Sequence, residues 1–404
     1  MVRRVVSVIF LTCALVIGGV VAAPAAQAAP PSSDPFYTYS GNLSNKSAGQ
    51  ILKQRPSRFV AAGLTVPVDS TQLMYRSVGN LGQPIAGVTT VLRPRGNRPT
   101  KIISYHMAYD ALGSGCDPSY TLQGYQPTPI SRVEQSLIGS YVARGYTVVV
   151  PDYEGLHEQW TIARQEGKLA LDGIRAAETF LRLPASTPVA LLGYSGGSVP
   201  TQFAAEFAPT YAPELAIKGA AGGGLPVNLA HNLSYVSGSQ SWAGVIPAVV
   251  EAYRRTYNLD VSKFLSPKGM SLIAQVRNKC IASFASKYPG LTDAQMVKAP
   301  YTSLLQVAVV RDLIADNVMG TLGLPRIPMF LGVGQINGQI GDGVMITADV
   351  RNLAAQYCRQ GARVHFTRYA GQSHGGAFPL FEADADRFIT ARLDGRPTLG
   401  CNVG

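Results

Sequence analysis

Short apolar runs alternate with longer amphipathic stretches along most of the chain. Lys101–Tyr105 (KIISY), Tyr146–Val150 (YTVVV) and Val189–Leu192 read as buried strands, with Leu215–Ala221, Ile327–Val333 and Val364–Tyr369 as further candidates. Between Gly167 and Leu183, Leu171, Ile174, Ala177, Glu178 and Leu181 recur at the helical period, leaving an apolar majority on one face. Further helices are predicted from about 196 to 207, 344 to 359 and 377 to 393. Within Thr71–Leu92, two β-rich runs flank Asn80–Pro84, a hairpin signal. The repeated strand-then-helix order predicts an α/β fold, with a mostly parallel central sheet covered by helices on both faces.

The rhythm breaks once. From Leu225 to Pro325 no buried strand appears, whereas IPAVVEAYRRTYNL (Ile246–Leu259) is helical in pattern. A stretch of that length exceeds an ordinary crossover, which predicts a helical cap or lid (225–325) inserted into a core of residues 29–224 and 326–404. A run of surface helices is the alternative. Residues 29–50, rich in Pro, Ser and Asn, are expected to cross the surface.

Residues 1–28 are expected to be a signal peptide. Arg3 and Arg4 precede the apolar run Val5–Val21, and Ala26-Gln27-Ala28 is a small-residue cleavage signal. A membrane anchor competes with this reading, but the flanks disfavour it, and no later segment is apolar enough to span a bilayer. The formal net charge is +11, two units of it from Arg3 and Arg4. The remaining basic residues are scattered without a Lys/Arg run, so they read as a solvated surface and not as a nucleic-acid site. No pattern specifies an oligomeric state. Export implies an oxidising compartment, where Cys116, Cys280, Cys358 and Cys401 would form two disulfides. Three pairings are open. Cys116–Cys280 with Cys358–Cys401 is favoured, the second bridge pinning the C-terminal tail.

The spacing G-x-S-x-G occurs twice, at Gly193-Tyr194-Ser195-Gly196-Gly197 and at Gly371-Gln372-Ser373-His374-Gly375. A serine hydroxyl needs a base, a group that orients the base, and donors for the oxyanion. In an α/β-hydrolase the nucleophile lies on a strand-to-helix turn, and the chain order is Ser, acid, His. Ser195 has a strand before it, a helix after it, and His231, His365 and His374 downstream; Ser373 has only its neighbour His374. Ser195 is therefore the expected nucleophile. His374, just beyond the last strand, is the expected base, and Asp342, the first carboxylate after Ile327–Val333, the expected acid in place of Asp349. The Gly196 N–H and an N–H from the loop after Lys101–Tyr105, assigned to Asp110, would form the oxyanion hole.

Tyr105-x4-Asp110 followed by Cys116-Asp117-Pro118-Ser119, then PDYEG at Pro151–Gly155 and LDGIRAA at Leu171–Ala177, resemble the secretory lipases of the Candida antarctica lipase A type. The resemblance runs from about residue 35 to 395. It implies an α/β-hydrolase fold, the triad Ser195, Asp342 and His374, an oxyanion hole at Asp110 and Gly196, a Cys116–Cys280 disulfide, and a helical lid and acyl-binding cap. The acid loop GQINGQIGDGV departs from the family's short turn. The implied activity is a secreted lipase or carboxylesterase acting on acylglycerols or other fatty-acyl esters, possible at a lipid–water interface, with no metal or cofactor. His157-Glu158 lacks the second histidine of a metalloprotease motif. Three alternatives are an acyltransferase using the same triad, a serine peptidase, and a non-enzymatic basic binding protein on the same fold.

Overall fold

The computed structural model describes residues 29–96, 100–397 and 400–403; the expected signal peptide, residues 1–28, lies outside them. The first half supplies strands β1 (Ile51–Ser57), β2 (Val60–Ala61), β3 (Leu64–Thr65), β4 (Val68–Val78), β5 (Pro84–Pro94), β6 (Ile102–His106), β7 (Thr147–Pro151) and β8 (Val189–Tyr194). Helices α1 (Pro118–Thr121), α2 (Pro129–Ala143), α3 (Ala163–Leu181) and α4 (Ser198–Tyr211) interleave with them. After β9 (Ile217–Gly223) come α5 (Leu229–Val236), α6 (Val245–Tyr257), α7 (Pro267–Val276) and α8 (Ala308–Ala315), then β10 (Met329–Gln335), α9 (Thr347–Arg359), β11 (Val364–Ala370) and α10 (His374–Leu393).

Nine strands form one sheet in the order β1-β4-β5-β7-β6-β8-β9-β10-β11. From β7 to β11 every neighbouring pair is parallel, while β1, β4 and β5 run antiparallel at one side. The parallel strands read as unbroken apolar runs because both faces are covered. Val149 and Leu191 join Leu171 and Ile174 of α3 and Phe203 of α4 on one face. Their neighbours Val148, Val150 and Leu192 join Ile138 of α2 and Phe381 of α10 on the other. The period of two along each strand thus feeds two separate cores.

β1 and α2 are among the elements not anticipated from the pattern. In β1 (ILKQRPS), charged residues and Pro56 interrupt the apolar signal, which suits a partly exposed edge strand. Helix α2 begins where the Thr128 side chain accepts from Ser131 N and Pro129 occupies the first turn.

Among the described residues, the stretch between β9 and β10 carries helices and no strand. Its Ile246, Leu272, Ile273 and Ile314 merge with the core on the α3 and α4 face. Glu206 of α4 anchors its return to the sheet, accepting from Gly320 N (2.8 Å), Leu322 N (3.0 Å) and Tyr357 Oη (2.7 Å). The Cys116–Cys280 disulfide ties the same stretch to the loop after β6. Cys358–Cys401 holds the tail against β11, where Asn402 O accepts from Phe366 N.

Candidate active site

The Ser195 turn follows from strand β8 meeting α4 with no loop between them. Residues Ser195–Gly197 form a single tight turn, and Ser195 takes φ +53°, a left-handed conformation costly for a residue with a Cβ. Below the turn, His106 is fully buried, and burial pushes its imidazole down to about 3, so it is neutral. Thr201 Oγ1 donates to Gly197 O (2.8 Å), so His106 Nδ1–H donates to Thr201 Oγ1 (2.6 Å) and Nε2 accepts from Ser104 Oγ (2.9 Å). His106 is thereby spent on shaping the turn.

His374 opens α10, and Ser373 caps that helix by accepting from Gly376 N. His374 Nε2 lies 2.8 Å from Ser195 Oγ, and its Nδ1 lies 2.8 Å from Asp342 Oδ2. Asp342 is buried, and its second oxygen accepts from Val344 N (3.1 Å) and Met345 N (2.7 Å). The His374 N–H also donates to Asp342 O (2.8 Å), and Tyr194 Oη donates to His374 O (2.6 Å). His374 and Asp342 are therefore held by backbone as well as side chain. Asp349 instead meets His231 Nδ1 (2.9 Å), and His365 sits exposed on β11.

Asp110 and Gly196 line the same cavity as Ser195. Asp110 also takes a positive φ, +40°. A Cβ at position 196 would run into the Asp110 carboxylate, which explains glycine there. Burial pushes the Asp110 carboxyl up to about 6; a hydrogen bond from Trp160 Nε1 (2.6 Å), the His374 charge and the Gly196 N–H oppose that rise. Four further contacts brace this loop. Glu134 accepts from Ala108 N (2.9 Å), Glu154 from Ala111 N (3.1 Å), Tyr153 Oη donates to Met107 O (2.7 Å), and Tyr109 Oη accepts from Glu154 N (2.7 Å). Burial raises Glu134 and Glu154 well above the usual carboxylate range. The PDYEG stretch thus has a physical role: it carries three of the four braces, through Tyr153 and Glu154.

Above Ser195 the cavity encloses about 60 Å³ and is walled by Leu229, Leu233, Val236, Val245 and Val249. Trp242 meets His374 edge-on at 5.5 Å. Trp160, Tyr194, Tyr153, Glu134 and Glu154 had no place in the expected site. Only the YEG motif and the position of Tyr194 beside Ser195 offered a signal. Among the described residues, no group of three or more His, Cys, Asp or Glu side chains is arranged to hold a metal ion. An apolar cavity ending on Ser195, whose hydroxyl meets His374, suits nucleophilic attack on an acyl carbon.

The model of the secretory lipase family matches residues 125–401. Lipase 6 of Candida albicans is 32% identical over 92% of this chain and 84% of its own length. A protein of Mycobacterium tuberculosis described as a probable inactive lipase is 31% identical over 91% and 83%. The crystal structure of Candida antarctica lipase A in its closed state superposes with a TM-score of 0.84 at 28% identity, covering 93% of this chain and 89% of that one.

Proposed function

The chain belongs to the secretory lipase family, and from that membership we propose that it is an exported carboxylic ester hydrolase cleaving acylglycerols and related fatty-acyl esters through an acyl-enzyme on Ser195. The observation that carries the reading is the unbroken relay from Asp342 through His374 to Ser195, with 2.8 Å at each link. Ser195 Oγ attacks the ester carbonyl as its proton passes to His374 Nε2. We assign the developing oxyanion to the N–H groups of Gly196 and Asp110, two residues that line the cavity beside Ser195. His374 then returns the proton to the departing alcohol, and a water molecule repeats the sequence to release the acid. We read residues 225–325 as the cap, because α5 and α6 wall the cavity over Ser195, and the acyl chain as its occupant. Export is supported by the family description and the two disulfides.

One relative is described as a probable inactive lipase, so family membership alone does not carry activity. What supports activity here is that all three side chains are present and within reach. Hydrolysis of p-nitrophenyl esters of increasing chain length should fall by about 10⁴-fold or more in Ser195→Ala. Turnover by that variant at the wild-type rate would end the assignment. A preference for short soluble esters, with none for emulsified triglyceride, would narrow the activity to an esterase.

A further inference from the structure

We propose that helix α5 positions the acid of the triad: Asn232 and Tyr235 hold the loop carrying Asp342 while their neighbours wall the cavity over Ser195. This rests on the reading of Asp342 as the triad's acid.

Leu229, Asn232, Leu233 and Val236 all face the cavity, at the i, i+3, i+4, i+7 spacing of one helix face. Asn232 is the one polar side chain among the four, and it is buried. Its Nδ2 donates to Val344 O at 2.7 Å. The N–H of the same residue, Val344, donates to Asp342 Oδ1 at 3.1 Å. Val344 is thus gripped on one side by Asn232 and on the other by the acid itself. One residue earlier, Gly343 takes φ +107°, a conformation open to glycine, and its N–H donates to Tyr235 Oη at 3.3 Å. Tyr235 Oη in turn donates to Gln339 Oε1 at 3.2 Å, and His231 reaches Asp349 at the far end. One face of α5 therefore meets the acid loop at residues 339, 343 and 344, and α9 at Asp349.

The loop needs such support. Between Gln335 and Thr347 it contains Gly338 and Gly343 at positive φ, and a triad carboxylate must be held to within about 0.5 Å to act. Its internal ties include the Asp342 N to Met345 O bond, the Gly341–Ile346 bridge and the Ile336 N to Gly341 O bond. The His374 N–H at the start of α10 holds the Asp342 carbonyl, and α5 grips the two residues that follow, Gly343 and Val344. Val344 and Met345 also line the cavity, so the wall that meets the acyl chain and the strap that holds the acid are one piece of chain. Asn232 begins an N-x-S sequence that its buried, engaged amide closes to glycosylation, unlike the exposed Asn42 and Asn45.

The test is a double-mutant cycle on p-nitrophenyl acetate, whose acyl group is too short to depend on the cavity wall, with active sites titrated by a fluorophosphonate. Asn232→Leu keeps the volume and removes the donor. We expect kcat per titrated site to fall about 10-fold, with KM within twofold, and Tyr235→Phe to cost about threefold. In an Asp342→Ala background the same changes should cost less than twofold, because they act through Asp342. A general structural role would instead cost the same factor in both backgrounds and would overturn the proposal, as would kcat within twofold of wild type for both single variants. Ser234→Ala, on the solvent side of α5, should leave kcat unchanged. If Asn232→Leu does not fold, Tyr235→Phe, which removes one hydroxyl from a half-buried ring, carries the cycle alone. Wild type that neither takes up the fluorophosphonate nor slows on Asp342→Ala would sink the functional reading instead, a result distinct from an inert α5.

Discussion

The turns Gly193–Gly197 and Gly371–Gly375 share one spacing and do opposite work. In the first, the serine is half-buried at φ +53° between a strand and a helix, and its hydroxyl meets His374 Nε2. In the second, the serine is exposed at a normal cap geometry, and its hydroxyl accepts from Gly376 N. The pattern describes small residues around a serine. What separates the roles is whether the backbone is forced into a left-handed bend with the side chain aimed at a base.

The largest expected difference lies in the glycines. A Cβ at Gly197 would collide with the His106 carbonyl, a backbone atom that cannot yield without moving β6 and the loop behind it. A Cβ at Gly375 would meet nothing within 4 Å. Gly197→Ala should therefore destabilise by about 3 kcal/mol and cut ester turnover more than about 10-fold. Gly375→Ala, in a helical turn, should keep activity within about twofold and stabilise by less than about 1 kcal/mol. Chemical denaturation and ester assays on both would decide it, and equal effects would erase the distinction between the turns.

Buried charge behind the turns gives a second contrast. Beside the first, burial pushes Asp110 up to about 6. Along the helix that starts at the second, burial and the Asp386 charge push Glu382 up to about 8. Both folded values lie above the ordinary carboxylate range, so the folded state keeps protons that the unfolded chain has already lost. Stability from each group is then full at low pH and is lost as pH rises through the folded value. For Glu382 the window runs from about pH 4.5 to 8, with a slope of up to about 1.4 kcal/mol per pH unit. Glu382→Gln should flatten the stability–pH curve across that window. An unchanged slope from urea unfolding at several pH values would count against a buried, protonated Glu382.

Much of the frame could be read along the chain because it is periodic. Val148, Val149 and Val150 announce a strand covered on both faces, and Leu171 and Ile174 announce the helix beside it. Element order singled out Ser195 and His374, and the place after β10 singled out Asp342; the fold brings these three side chains within hydrogen-bond reach. The braces were not legible in this way. Trp160 meets Asp110, Tyr194 meets the His374 carbonyl, and Asn232 meets Val344 across long stretches of chain, and those pairings are set by which strands are neighbours in the sheet. No local period encodes them. Helix α2 is a different case. Its Thr128 cap and Pro129 were available as a start signal, and the turn-rich stretch before them obscured it.

The smallest expected effect isolates the second serine. Ser373 contributes one capping bond to Gly376 N at 3.2 Å, and its neighbour His374 is held independently by Asp342 O and by Tyr194 Oη. Removing the hydroxyl should cost about 1 kcal/mol of stability, the usual worth of an N-cap. The helix start would fray slightly, but the imidazole would keep three of its anchors: the Asp342 carboxylate, the Asp342 carbonyl and the tyrosine. Ser373→Ala should therefore keep ester turnover within about threefold while the denaturation midpoint drops. A loss approaching that of Ser195→Ala would mean that the helix cap, and not the ties from Asp342 and Tyr194, sets the position of the base. The two turns would then be one cooperative unit and not two separable parts.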